Sequence, residues 1–157
     1  MLTNLNLSKG IFVLFASIII FVFNVSSSTA QEKSLYERLG GVEPISLVVD
    51  DFIDRLVAND ILNANPMIKA GRVHSPDAYL KFQVTNLVCQ VTGGPCVYTG
   101  LGMKVAHEHL NITSTEWQVM LDEFKKTLDK FSVPEQEQKE LFEIVESTKK
   151  DIVMMEQ

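Results

Sequence analysis

Apolar residues recur at three- and four-residue steps along most of this chain, and glycine pairs separate the periodic segments. Between residues 43 and 59, for example, six apolar side chains share one helical face. This spacing is typical of amphipathic helices. No convincing alternation of apolar and polar residues, the pattern of a half-buried strand, accompanies it. The sequence therefore predicts an all-α domain of about five helices that pack their apolar faces together.

Capping residues and turns indicate where these helices begin and end. We predict helices over residues 34–39 and 43–59, a third that begins at Ser75-Pro76-Asp77, a fourth behind a capping box at Thr113–Glu116 and a fifth restarting near Pro134. Residues 92–95, Thr-Gly-Gly-Pro, end the third helix. Residues 60–74 contain asparagine, proline and glycine with little periodicity, and they are predicted to form a looser segment.

The first 30 residues have the layout of a secretory signal. Lys9 is their only charged residue, an apolar run extends from Ile11 to Val25, and small residues precede a cleavage site after Ala30. The run is shorter than the roughly 20 residues of a spanning helix. We expect a signal peptide at 1–30, a mature domain at 31–157 and export to a periplasmic or extracellular compartment. The alternative is a membrane anchor at residues 9–25, and membrane contact is expected only in that case.

The charge of the chain excludes one class of partner. Its 14 basic and 20 acidic residues give a net charge of −6, and the lysines and arginines form no cluster. Because binding to phosphates requires clustered lysine and arginine, nucleic acid is not an expected partner.

The two cysteines, Cys89 and Cys96, flank a Gly-Gly-Pro turn. An oxidising compartment favours a disulfide across this turn. The alternative is that Cys89 is a small buried residue with a free thiol. The sequence does not fix the geometry that a disulfide requires.

Two of the three histidines lie in MKVAHEHLNIT, residues 103–113. Read as a helix, this stretch places His107 on an apolar face with Met103 and Leu110, whereas His109 points away from that face. His107 is then either a core histidine bonded to backbone groups or a ligand. A buried neutral imidazole with one free ring nitrogen is what a haem iron requires on its proximal side.

Five motifs, in order along the chain, resemble those of the group I truncated haemoglobins, the short bacterial and protist globins. They are SLYERLGG at residues 34–41, VVDDF at 48–52, TGGP at 92–95, YTG at 98–100 and MKVAHEHLNIT. The resemblance extends from about Ser34 to the last residues. It implies a two-over-two helical sandwich that holds one b-type haem (iron protoporphyrin IX) non-covalently. It also implies that His107 is the proximal iron ligand, the residue that the helical face singles out as well.

The resemblance assigns further residues to the haem site. Met103, Leu80, Val84 and Phe52 would line the haem, Tyr98 and Lys104 would lie near its edge, and Trp117 would pack in the following helix. Cationic and hydroxyl groups at the edge suit the haem propionates. The chain has no CxxCH motif for covalent haem attachment.

The chain departs from the family pattern on the distal side, where a gas would bind. Ile53 stands where the family has a tyrosine, and Val84 stands where it often has a glutamine, with Gln83 beside it. A mostly apolar distal pocket lacks the usual hydrogen-bond donor, at a cost of about 1–3 kcal/mol in oxygen affinity. Tyr79 is a candidate to supply a hydroxyl there, and His74 is a candidate sixth ligand of the iron. The alternatives, which we favour, are a half-buried surface position for Tyr79 and a solvated loop position for His74.

We therefore expect a haem protein that reversibly binds a diatomic gas, namely oxygen, nitric oxide or carbon monoxide. An electron donor would have to reduce the iron, and the sequence does not identify it. One alternative is a haem enzyme for nitric oxide detoxification or peroxide reduction, which would need a polar distal group. The other is a helical interaction module without haem. The apolar distal side favours gas binding over catalysis.

Overall fold

The computed structural model describes residues 32–155, and the predicted signal peptide at residues 1–30 lies outside this range. Within this range the secondary structure is helical apart from two short strands, so the predicted all-α class is confirmed, but there are nine α-helices rather than about five. Its helices are α1 (Leu35–Arg38), α2 (Val42–Ala58), α3 (Asp60–Ala64), α4 (Pro66–His74), α5 (Asp77–Val91), α6 (Met103–His107), α7 (Ser114–Lys130), α8 (Glu135–Ser147) and α9 (Lys149–Ile152), and its strands are β1 (Ile112–Thr113) and β2 (Val153–Met155). Over residues 32–155, no helix combines the length and apolar character needed to cross a membrane.

The four long helices form two pairs, α2 with α5 and α7 with α8. The ring of Phe124 in α7 joins the pairs, since its centroid lies 5.2 Å from that of Phe52 in α2 and 5.2 Å from that of Phe142 in α8. Leu128, fully buried, packs in the same cluster. Tilted aromatic pairs at this separation are favourable beyond the area that they bury. The core therefore runs between the two helix pairs.

A second apolar cluster lies between α2 and α5. Ile45, Val49 and Ile53 are at most 5% exposed and repeat at four-residue steps along one face of α2. Leu80 and Val84 of α5 pack against them. Burying a side chain of this kind stabilises the fold by about 1.5–3 kcal/mol. This cluster fixes the position of α5 relative to α2.

Charged groups also connect α2 to α7. The carboxylate of Asp51 accepts hydrogen bonds from Arg55 Nε at 2.7 Å, from the buried Thr127 hydroxyl at 3.0 Å and from Lys130 Nζ. Burial by itself would raise the pKa of Asp51, but these hydrogen bonds together lower the pKa to about 2. Asp51 is therefore ionised at neutral pH and holds α7 through one cation, Lys130, and the Thr127 hydroxyl, while Arg55 lies on α2 itself.

Residues 60–74, predicted to be a looser segment, are helical, so that prediction was wrong. The side-chain oxygen of Asn59 accepts hydrogen bonds from the first backbone N–H groups of α3, and that of Asn65 does the same for α4. Pro66 occupies the first turn of α4. Asparagine caps and an N-terminal proline stabilise short helices even when apolar periodicity is weak.

Two other local predictions had different outcomes. Thr113 forms the predicted capping box with Glu116, in which each side chain accepts from the other's backbone N–H. Ser75, predicted to cap α5, does not do so, because Pro76 occupies the capping position without a side-chain hydrogen bond. The strands β1 and β2 pair in parallel, with Ile112 opposite Val153. At two and three residues they are too short to show alternation in the sequence.

Candidate functional site

A cavity of about 1660 Å3 is lined by residues of α2, α4, α5, α6, α7 and α8. Most of the side chains that line it are apolar. Nine of the residues predicted for the site line it, namely Phe52, Ile53, Tyr79, Leu80, Gln83, Val84, Tyr98, Met103 and His107. Lys104 is exposed and is not among the lining residues. A cavity of this size and character accommodates a large apolar ligand.

His107, the last residue of α6, is half-buried in the wall of this cavity. Its Nδ1 lies 2.8 Å from the backbone carbonyl oxygen of Met103. Because a carbonyl only accepts, Nδ1 carries the ring proton and donates it, which leaves the lone pair on Nε2 for a ligand. Burial lowers the pKa of His107 more than this hydrogen bond raises it, and His109 lowers it further. The imidazole is therefore neutral at pH 7.

The other two histidines also border the cavity, but both are exposed. His109 lies in a single 3-10 turn, Glu108–Leu110, that follows α6, and its exposure agrees with its predicted orientation. His74 is the last residue of α4 rather than a loop residue. Among residues 32–155, no group of three histidine, cysteine or acidic side chains is arranged to hold a metal ion. If a metal ion binds to His107, a cofactor would therefore have to supply most of its other ligands.

Another part of the cavity wall is formed by α2 and α5 and is largely apolar. Ile53 is 5% exposed and packs with Leu80 and Val84, which extend from α5 toward α2. Tyr79, at the start of α5, is 48% exposed, in agreement with the predicted surface position. The buried part of this wall contains one amide side chain, that of Gln83, which is 9% exposed.

Gln83 is held to the loop between α5 and α6. Its Nε2 lies 3.5 Å from the Thr99 hydroxyl, at the outer limit of a hydrogen bond. Within the described part of the chain, its Oε1 is buried and has no hydrogen-bond partner. The same is true of Nε1 of Trp117, which is 2% exposed and packs beside Met103.

The loop over residues 92–102, between α5 and α6, forms the rim of the cavity and is covalently fixed. Cys89, fully buried at the end of α5, is joined to Cys96 by a disulfide with a Cα–Cα distance of 5.7 Å. Tyr98 is held at its backbone N–H, which donates to Gln90 Oε1 at 2.8 Å, and at its hydroxyl, which donates to the Leu101 carbonyl at 2.7 Å. The rim therefore has a defined conformation.

Sequence reasoning missed the contribution of α4. Ile68 and Gly71 of this helix line the cavity, and Ile68 packs in the same cluster as Met103 and Trp117. The signal that could have found them was Asn65-Pro66, a capping asparagine followed by a proline in the first turn, which begins a helix with weak apolar periodicity. Once α4 is recognised as a helix, Ile68 and Gly71 fall one turn apart and face the same side.

Comparison with known proteins identifies the family. Residues 34–154 match the family model of the bacterial-like globins. The chain belongs to the bacterial-like globin family. Among the relatives of this globin, a group 1 truncated haemoglobin of Tetrahymena pyriformis is 23% identical over 121 residues, which are 77% of this chain and 95% of that protein. A group 1 truncated haemoglobin of Mycolicibacterium paratuberculosis is 28% identical over 105 residues, 67% of this chain and 73% of that protein.

Solved structures show the same fold. The truncated haemoglobin of Tetrahymena pyriformis in its Fe(III) form superposes on this globin with a TM-score of 0.68 and 23% identity, covering 78% of this chain and 100% of that one. The 2/2 haemoglobin of Synechococcus sp. PCC 7002, solved in the cyanomet state with covalently attached haem, gives a TM-score of 0.67 and 24% identity over 77% and 98% of the two chains. The predicted truncated-globin sandwich is confirmed.

The residues present fit the haem that truncated haemoglobins bind. A flat apolar cofactor suits the apolar walls of the cavity. The neutral imidazole of His107, a residue of the cavity wall, would supply Nε2 to the iron, with the ring held by the Met103 carbonyl. The two side chains with unpartnered buried atoms, Gln83 and Trp117, are also lining residues. The cavity of this globin thus offers an imidazole nitrogen in a lining that is mostly apolar.

Proposed function

We propose that this globin holds haem through His107 Nε2 and reversibly binds a diatomic gas on the opposite face. The observation that carries the proposal is the state of His107. Its side chain is half-buried in the apolar wall, its Nδ1 is engaged by the Met103 carbonyl, and Nε2 remains for the iron. A bound haem would supply the iron and one open coordination position for the gas.

The protein's contribution begins with the orientation of the imidazole. The Met103 carbonyl fixes the tautomer of His107 and restricts rotation of the ring. A hydrogen bond from the far ring nitrogen also raises the basicity of the liganding nitrogen. Burial keeps the side chain unprotonated at neutral pH, so a proton does not compete for Nε2.

The apolar walls would hold the haem and exclude water from the gas. Phe52, Leu80 and Val84 supply contact area on the α2–α5 side, and Met103 supplies it on the α6 side. Tyr98 and Lys104 would lie at the rim near the propionates. Both cysteines of the chain are used in the disulfide. No thiol then remains for a thioether bond to the haem, which argues against covalent attachment through cysteine.

We also propose that residues 1–30 direct export of the protein. The Cys89–Cys96 disulfide supports an oxidising compartment, because thiols are kept reduced in the cytosol. The mass of the protein recovered from the periplasm or medium tests this proposal, with cleavage after Ala30 as the expected result. A full-length mass in the membrane fraction would instead support an anchor at residues 9–25.

Absorbance spectroscopy tests the haem proposal. We expect a Soret band in the purified protein after addition of haem, and a reversible spectral change of the ferrous form with oxygen and with carbon monoxide. His107→Gly should lose this spectrum and regain it with added imidazole, which can occupy the space of the missing side chain. His109→Gly is the matched control and should retain the haem.

Three results would decide against the proposal. Equal haem retention in the His107→Gly and His109→Gly variants would show that His107 is not the iron ligand. No Soret band in the wild-type protein would support a helical interaction module without haem. Sustained consumption of nitric oxide or peroxide by the haem-loaded protein, with an electron donor supplied, would favour an enzyme over a gas carrier or sensor.

A further inference from the structure

The short helix α4 contacts the segment that follows His107 at three points. The side-chain Nδ2 of Asn65, the residue that precedes α4, donates a hydrogen bond to the Leu110 carbonyl at 3.1 Å. A Cβ atom at Gly71 would lie 3.0 Å from Cδ2 of Leu110, so the backbone of α4 packs directly against that side chain. Ile68 belongs to the same apolar cluster as Leu110. The helix α4 therefore holds Leu110 both by its carbonyl and by its side chain.

The connection from Leu110 back to His107 is short and regular. His107 ends α6, and Glu108–Leu110 form the single 3-10 turn that follows it. Asn111 then adopts a left-handed conformation, with a φ of 50°, and leads into β1. Because a 3-10 helix has three residues per turn, only one turn of backbone separates Leu110 from His107. A displacement of Leu110 therefore moves the end of α6 that carries the imidazole.

The other end of α4 is attached to the α2–α5 pair and to α3. Arg72 Nη1 donates to the Val57 carbonyl at 3.3 Å and to Asn63 Oδ1 at 3.0 Å, and its Nη2 lies 3.7 Å from the Asp77 carboxylate. No residue of α4 is buried, so polar contacts at its two ends largely determine where it lies. The helix α4 thus connects the α2–α5 pair with the segment that follows His107.

The two polar atoms of the Asn65 side chain have different tasks. Oδ1 accepts hydrogen bonds from the backbone N–H groups of Met67 and Ile68 and so caps α4, whereas Nδ2 donates to the Leu110 carbonyl. The partners fix the orientation of the amide, because a flipped amide would place donor against donor and acceptor against acceptor. Capping needs only an acceptor, which aspartate and serine also provide. The bond to Leu110 needs an N–H donor, which a carboxylate lacks. Substitution can therefore separate the two tasks.

We propose that Asn65 is a positioning residue for the iron ligand and that, through Leu110, it fixes where the end of α6 and His107 lie in the cavity. This inference rests on the proposed function. The Met103 carbonyl sets the rotation of the imidazole from within α6, whereas Asn65 restrains the end of that helix from outside it. A segment that is already ordered loses less conformational entropy when the haem binds. Asn65 therefore contributes to haem retention without touching the haem.

Asn65→Asp tests the inference, because it keeps the cap of α4 and removes the donor to Leu110. We expect the iron–histidine stretching band of the ferrous protein to shift or broaden in resonance Raman spectra, since His107 is no longer held in one position. Haem transfer to excess apomyoglobin should become about fivefold faster, the factor that corresponds to one hydrogen bond of roughly 1 kcal/mol. In the haem-free protein, the backbone amides of residues 108–112 should exchange hydrogen with solvent faster than in the wild type. Asn65→Ser, a second capping variant with a shorter side chain, should show the same changes.

Asn59→Asp is the matched control. Asn59 caps α3 through Oδ1 and donates from Nδ2 to Glu123 at 3.2 Å, so the same substitution again keeps a cap and removes one donor. Glu123 lies on α7, and neither Asn59 nor Glu123 lines the cavity. We expect a lower melting temperature in Asn59→Asp, but the iron–histidine band and the rate of haem transfer of the wild type.

The outcomes separate this inference from the proposed function. A wild-type band and transfer rate in Asn65→Asp and Asn65→Ser would overturn this inference alone. Equal changes in Asn65→Asp and Asn59→Asp would do the same, because a general loss of stability would then explain them. A wild-type protein that takes up no haem would overturn the proposed function and this inference together.

Discussion

The Nδ1 atom of His107 lies 2.8 Å from the carbonyl oxygen of Met103, one turn earlier in α6. The bond uses the backbone of Met103 and the side chain of His107. Its geometry is therefore set by the helix itself and not by a second side chain. The orientation of the His107 ring therefore depends on α6 being intact from Gly102 to His107.

This relationship predicts a tolerant position at Met103. Met103→Leu keeps the carbonyl and nearly the same volume, so we expect retained haem and a loss of less than about 1.5 kcal/mol in the free energy of unfolding. The iron–histidine stretching frequency, measured by resonance Raman spectroscopy of the ferrous protein, should stay unchanged. A shifted frequency would mean that the methionine side chain, and not its carbonyl, sets the ring position.

Acid should destabilise the protein through Asp51. The folded pKa of about 2 lies below the ordinary value of 3.8, so the contribution of Asp51 is complete above pH 3.8 and is lost as the pH falls toward 2. Its size is about 2 kcal/mol at neutral pH. Asp51→Asn should therefore lower the free energy of unfolding at pH 7 and flatten its dependence on pH in this range. Urea unfolding at several pH values measures both, and Asp122→Asn, on the exposed face of α7, should leave the curve unchanged.

Gly94 should not tolerate a side chain. A Cβ atom there would lie 2.5 Å from Tyr36 Cδ2 and 2.7 Å from both the carbonyl oxygen and the sulfur of Cys89. We expect Gly94→Ala to lower the free energy of unfolding by roughly 1–3 kcal/mol, the usual cost of overpacking. Gly102→Ala, where no atom lies within 4 Å of the added Cβ, is the control for thermal unfolding. Equal melting temperatures in the two variants would show that the turn at Gly94 can move enough to accommodate the added methyl group.

The disulfide should stabilise the fold and the rim of the cavity. Replacing Cys89 and Cys96 by alanine should lower the free energy of unfolding by about 2 kcal/mol, the value for a short closed loop. Haem should also transfer faster to an excess of apomyoglobin, because the loop that carries Tyr98 and leads to α6 becomes mobile. A thiol reductant should reproduce both changes in the wild type and have no effect on the double variant. If the rate of haem transfer did not change on reduction, the disulfide would have no role in retaining the haem.

Much of the fold was predictable because its signals are local. The apolar face of α2 and the Thr113 capping box each depend on residues close together in the chain. The position of His107 in the cavity wall followed from the same kind of reasoning. The helices α3 and α4 were not predicted, because asparagine caps rather than apolar periodicity mark where they begin.

What the sequence could not indicate depends on contacts between distant residues. The sequence identified Gln83 only as a neighbour of Val84. Its contact with Thr99 and its unpartnered Oε1 atom are visible only in the folded chain, within residues 32–155. The network around Asp51 joins residues 76 and 79 positions apart. Such pairings carry no periodic signal, and only the folded chain shows them.

Trp117 gives the protein an internal reporter. It is the single tryptophan of the chain, it is 2% exposed, and it packs beside the residue that holds His107. If haem occupied the cavity that Trp117 lines, it would take up the excitation energy of the indole and quench its emission. The intrinsic fluorescence of the protein should therefore read out the fraction of molecules that carry haem, without any label, during uptake, release and exchange.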